Sequence, residues 1–176
     1  DTGDLTAFPR ADGRMADLTA YPIGENHEDF LTLVEAPDQQ LGWSVVSRMA
    51  EQDRIIVLKR PDVLPVTMLW MSNGGRDYAP WSSRHTGVLG IEDARASPLG
   101  HADSCRDNEL NRRGIPTAFE LGNERSTIVR QIIGVCAAGA GEGRLQDVRA
   151  GEECLVLNFQ DAGFRKLNYD PDFLAG

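Results

Sequence analysis

Basic residues are scarce in this chain. Eighteen Lys+Arg stand against 27 Asp+Glu, a formal net charge of −9 with a pI near 4.8. A polymer of phosphates needs a basic stripe to neutralise it, and none is present, so nucleic acid is excluded as a partner. An anionic membrane surface is excluded on the same ground. Long apolar runs are missing too: no stretch approaches the roughly 20 residues of a membrane-spanning helix. Cysteines are few and unpaired by spacing. Cys105, Cys136 and Cys154 form no CxxC pattern, which reads as idle thiols in a reducing compartment and a cytoplasmic location. Aromatics make up only 7% of the chain, so their clustering carries information. Helical periodicity is almost absent, which excludes bundles and coiled coils.

What remains is a pattern of short apolar runs punctuated by 18 Gly and 9 Pro. Strands are predicted at 32–35, 42–49, 54–59, 66–71, 86–91, 117–121, 126–137 and 154–159. The run Ile55-Ile56-Val57-Leu58 is too continuous for a one-sided strand and predicts cover on both faces. One helical turn is predicted at 108–113, stopped by Gly114-Ile115-Pro116. The reading is all-β and mostly antiparallel, one domain over 1–176. Asp4-Leu5-Thr6-Ala7-Phe8-Pro9 recurs as Asp17-Leu18-Thr19-Ala20-Tyr21-Pro22; two copies are too few for a solenoid.

The densest chemistry lies at 70–93, which gathers Trp70, Trp81, Tyr78, Arg76, Arg84, Asn73 and His85. Indole faces beside amide and forked guanidinium donors suit a sugar, which offers apolar C–H faces and a rim of hydroxyls. The same residues also fit a turn and a strand core. Glu92 follows the apolar run Val88, Leu89, Ile91. A carboxylate closing such a strand would be partly desolvated and a better base. A second cluster, Glu25-Asn26-His27-Glu28-Asp29, surrounds a histidine with acids. No second histidine stands at metal-ligand spacing, so no metal is expected. There is no GxSxG, and Gly139-x-Gly141-x-Gly143 lacks the Lys-Ser/Thr of a phosphate loop and reads as a hairpin.

The run Arg84-His85-Thr86-Gly87-Val88-Leu89-Gly90-Ile91-Glu92-Asp93, with the Asn/Gly/aromatic turn before it and Leu41-Gly42-Trp43 upstream, resembles the aldose 1-epimerase (galactose mutarotase-like) superfamily over 22–117. The resemblance implies a large, supersandwich-like β-sandwich, present here whole or as its C-terminal part. It implies a carbohydrate-binding isomerase that interconverts sugar anomers without a cofactor. Glu92 falls at the catalytic base. Asp29, and less closely His27, fall near the residue holding sugar hydroxyls, with Asn73, Arg76, Trp81 and Arg84 positioning the substrate. The family's paired histidines have no match in this chain, which departs from the pattern. Two other readings stay open: a non-catalytic carbohydrate-recognition or regulatory module, and a β domain whose aromatic segment is core and whose role is protein contact. The partner expected is a small-molecule sugar, and self-association into a homo-oligomer is compatible with the sequence.

Overall fold

The computed structural model describes residues 4–10, 13–36, 38–124 and 126–176. The fold is all-β: strand makes up 40% and helix 8%. In chain order the strands are β1 (Phe8–Pro9), β2 (Met15–Ala16), β3 (His27–Val34), β4 (Gly42–Arg48), β5 (Asp53–Lys59), β6 (Val66–Asn73), β7 (Val88–Ala94), β8 (Gln131–Ala137), β9 (Leu145–Ala150), β10 (Cys154–Phe159) and β11 (Gly163–Asn168). The helices are α1 (His101–Ser104), α2 (Glu109–Arg112) and α3 (Pro171–Ala175). They form a β1-β2 ribbon and three-stranded sheets ordered β3-β6-β7, β4-β5-β8 and β9-β10-β11. Two compact units result, Asp1–Leu33 with Thr67–Glu92 and Val34–Val66 with Asp93–Gly176. No helix among the described residues is long and apolar enough to cross a membrane.

In the second unit, β5 is the central strand of its sheet, antiparallel to β4 and β8 through Ile56↔Val45 and Ile56↔Gly134. Its β-branched run suits a pleated surface, and Ile56, Val57 and Leu58 are buried as consecutive residues, so both faces are covered. Strand β10 instead alternates, burying Leu155, Leu157 and Phe159. These side chains join Leu41, Ile56, Leu58, Val148 and Leu174 in one apolar cluster drawn from both sheets of the unit. Each such side chain contributes roughly 1.5–3 kcal/mol by leaving water.

Two cations are buried in the same unit. Lys59 is 1% exposed, and its Nζ donates to Glu35 Oε1 at 3.0 Å, Asp93 Oδ1 at 2.9 Å and the Val66 carbonyl at 3.1 Å. Gly42 makes room for it: a Cβ there would stand 2.8 Å from Lys59 Cγ and 2.9 Å from Cε. Arg54 lies over the Phe159 ring at 4.9 Å and donates to Glu142. Glu142 also accepts from Gly139 N at 2.7 Å, which pins the glycine-rich β8–β9 connection; it is not the hairpin expected, because β8 pairs with β5 and β9 with β10, in different sheets.

The predicted strand at 117–121 does not form. Thr117 is buried, and its hydroxyl donates to Ser104 O at 2.8 Å while accepting from Asn108 Nδ2 at 2.8 Å. This side-chain network takes the place of a ladder. Only the second half of 126–137 is strand. The predicted helical turn is α2, capped by Asn108 Oδ1 on Asn111 N at 3.0 Å. The repeated hexapeptides make the same local turn: Asp4 Oδ1 accepts from Thr6 N at 2.8 Å and Thr6 Oγ1 at 2.6 Å, and Asp17 does so from Thr19 at the same distances.

Candidate functional site

The aromatic segment belongs to the first unit. Here β6 is the middle strand of β3-β6-β7 and carries Trp70, and the following loop carries Arg76, Tyr78, Trp81 and His85. Gly75 fixes where that loop leaves the sheet. A Cβ at Gly75 would stand 2.5 Å from both Glu28 N and His27 C, so only glycine allows the loop to lie on the start of β3. Gly74 N donates to His85 O at 2.6 Å and Ser83 N to Arg76 O at 2.6 Å, closing the loop on itself.

Inside this frame Arg76 is held on three sides. Its guanidinium carbon lies 4.9 Å from the Trp70 ring centroid and 5.2 Å from that of Trp81. Its Nε donates to Glu28 Oε1, and Trp70 Nε1 donates to the same oxygen at 3.0 Å. Cation–π attraction and a charge-assisted bond therefore act together. His85 packs against both indoles, with ring centroids 5.7 Å from Trp70 and 4.8 Å from Trp81. Tyr78 stands 59% exposed in the same loop. Burial pushes the nearby strand's neighbour Tyr21 above the ordinary phenol range.

The substrate-positioning residues singled out by sequence divide into three groups, and Glu92 stands apart. Arg76 and Trp81 meet, the guanidinium lying over the indole. Asn73 and Arg84 are occupied in bracing the loop: Asn73 Nδ2 donates to Gly24 O at 2.6 Å and its Oδ1 accepts from Gly87 N at 2.9 Å, while Arg84 donates to the Pro80 and Trp81 carbonyls. His27 and Asp29 sit together on β3, with Nε2 4.0 Å from Oδ2, and Asp29 Oδ1 accepts from Phe30 N at 2.8 Å.

Glu92 differs from expectation. Strand β7 runs on to Ala94, so Glu92 lies within the strand rather than at its end, and it is exposed. The partial burial expected for it is absent. The buried carboxylate of β7 is the next residue, Asp93, with a side chain 2% exposed, because alternate residues face opposite ways. Glu92 nonetheless adjoins the aromatic group. A Cβ on Gly90 would stand 3.4 Å from Trp70 Cβ and Cε3 and 3.6 Å from Glu92 Oε1, so indole and carboxylate lie over the same glycine.

Glu28, Trp70 and His85 complete the site; the sequence placed them in the two clusters but assigned none of them a binding role. Glu28 was hidden among four neighbouring polar residues, and Trp70 read as strand core. Among the described residues, no three His, Cys, Asp or Glu groups gather in a metal-binding arrangement. An open depression of ≈ 630 Å³ in the second unit, lined by Gln39, Leu41, Gln146 and Arg149 among others, contains none of the residues chosen from sequence. No protein-family model matches the chain, and neither a curated protein nor a solved structure matches it.

Proposed function

We propose that the first unit is a carbohydrate-binding module whose ligand lies on the Trp70–Arg76–Trp81 group. The observation that carries this reading is the fixation of Arg76 between two half-buried indoles by Glu28. A preorganised donor beside aromatic surface is what a polyhydroxylated ring with apolar C–H faces requires. Tyr78 adds a solvent-facing ring. The carboxylate of Glu92, next to Trp70, supplies an acceptor for sugar hydroxyls.

Recognition is favoured over turnover. Glu92 lies within β7 and is exposed, not enclosed at the end of an apolar strand as the catalytic reading expects. In the mutarotase-like reading Glu92 would take the anomeric proton. Following exchange of free aldoses by NMR with Glu92→Gln tests that reading directly: a loss of about 10²–10⁴-fold would assign catalysis to Glu92.

Binding is tested by titrating a panel of neutral and acidic monosaccharides against tryptophan fluorescence and ligand-observed NMR. Trp81→Ala is expected to weaken binding by about 1–3 kcal/mol. Absence of binding to every sugar in the panel, or affinity unchanged in a folded Trp81→Ala, overturns the proposal.

A further inference from the structure

Arg76 is not fully used by its surroundings. Among the described residues its one hydrogen bond runs from Nε to Glu28 Oε1, and neither Nη1 nor Nη2 has a partner. Neither terminal nitrogen belongs to the buried, unpartnered polar atoms of the chain, and the side chain is 27% exposed. The two indoles hold the guanidinium plane, and Glu28 holds one edge of it. The remaining edge is a pair of parallel N–H donors, fixed in direction and open to solvent.

We infer that this edge receives the carboxylate of an acidic sugar, so that the ligand of the first unit is a uronate rather than a neutral aldose. The inference rests on the carbohydrate-binding reading above and specifies its substrate class. Two donors fixed in one plane match the two oxygens of a carboxylate bidentately. Little side-chain entropy remains to be lost, because the indoles already restrict Arg76. Local charge selects between the anions that such a fork accepts. Glu28 already touches Arg76, so the cation is partly neutralised before a ligand arrives. A singly charged carboxylate meets less repulsion there than a dianionic phosphate. The sugar ring then lies towards Tyr78 and the indole edges, with Glu92 reaching its hydroxyls.

Isothermal titration of the whole chain tests this with glucuronate against glucose, galacturonate against galactose, the methyl ester of each uronate, and glucose 6-phosphate. The expected result is that each uronate binds at least about tenfold tighter than its aldose. The ester should lose that advantage, since it keeps the shape and removes the charge. Arg76→Gln should abolish the advantage, and Arg76→Lys, which keeps the charge without the fork, should restore only part of it. Equal affinity for uronate and aldose overturns the inference and leaves the carbohydrate-binding reading standing. Failure of every sugar to bind overturns both. Tighter binding of the phosphate sugar assigns the fork to phosphate and overturns the inference. Discrimination that persists in a folded Arg76→Gln moves the carboxylate elsewhere and overturns it as well. The ester comparison uses the unaltered protein, so it decides the matter even where an Arg76 variant fails to fold.

Discussion

Replacing Lys59 with methionine tests how the second unit holds its buried charge. Methionine is close in volume, so the change removes the ammonium and little packing. Three bonds disappear at once, to Glu35 Oε1, Asp93 Oδ1 and the Val66 carbonyl. The two carboxylates do not fare equally. Glu35 has a side chain 19% exposed and can turn towards water, whereas that of Asp93 is 2% exposed. Asp93 still accepts from Gln131 Nε2 at 2.7 Å, but it loses the ammonium 2.9 Å away. Breaking a buried pair in this way costs about 3–5 kcal/mol, a large share of the roughly 5–15 kcal/mol of a typical domain. With a urea m-value of about 2 kcal/mol/M, the midpoint should fall by about 1.5–2.5 M in urea unfolding followed by far-UV circular dichroism. The double variant Lys59→Met/Asp93→Asn should regain part of the loss, because the buried charge that faced the ammonium is gone too. A midpoint shift under about 0.5 M, or a double variant no more stable than the single one, would refute the argument.

Three further perturbations follow from the geometry. Gly42→Ala places a Cβ against Lys59 Cγ and Cε, whose far end is held by three bonds; a loss of about 1–3 kcal/mol is expected in the same unfolding assay, and an unchanged midpoint would show that the lysine moves freely. Gly75→Ala sets a Cβ against β3 backbone at 2.5 Å, so the loop at 76–85 should shift, altering tryptophan fluorescence and removing ligand binding; wild-type spectra and binding would contradict the proposed anchoring. Glu142 concerns pH. Burial pushes its carboxyl up, but the Gly139 N–H bond and the Arg54 and Arg165 guanidiniums outweigh this and hold it below the ordinary glutamate value. A lowered native pKa means the unfolded chain binds the proton more readily, so the contribution is complete above about pH 4.3 and fades as pH falls through the native value. The stability difference between wild type and Glu142→Gln should therefore shrink on acidification below that pH in thermal scans, and a difference constant down to pH 2.5 would contradict it.

Strands were legible in the sequence where one physical signal dominated. The β-branched runs of β4, β5, β6 and β10 were found within two residues of their observed ends. Strand β3 was placed late because it begins with His27-Glu28-Asp29, and charge is a poor strand signal even where one face meets water. Strands β9 and β11, Leu-Gln-Asp-Val-Arg-Ala and Gly-Phe-Arg-Lys-Leu-Asn, were missed for the same reason: each offers few apolar residues, and antiparallel pairing to β10 decides their state. The helix α3 also escaped, although Asp170 caps it by accepting from Phe173 N at 3.1 Å and Pro171 opens it; five residues carry no periodicity. In the site, Arg76 and Trp81 were recognisable because they share one short loop. Glu28 was not, because it lies 48 positions from Arg76, and only the fold of β3 against β6 brings the two together.

The three partly or wholly buried cations described here separate by how completely their hydrogen bonds are met. Lys59 has three N–H donors and an acceptor for each, with a glycine opposite to seat it; nothing of it remains for a ligand, and its role is to join strands. Arg54 is nearly as enclosed: it donates to Glu142 and covers Phe159, and its Nε is buried without a partner, a debit to stability tolerated because Glu142 also holds the connection at 138–144 through Gly139 N. Arg76 has the opposite arrangement. Its plane and one edge are fixed as firmly as those of a structural arginine, yet the paired terminal donors meet solvent. A side chain held only for packing gains nothing from restraint at one end and freedom at the other. For recognition the combination is useful, since the donors are aimed before the ligand arrives and their hydrogen bonds are still to be made. That contrast, rather than the aromatic content of the segment, is the physical reason to place a ligand at Arg76 and none at Lys59.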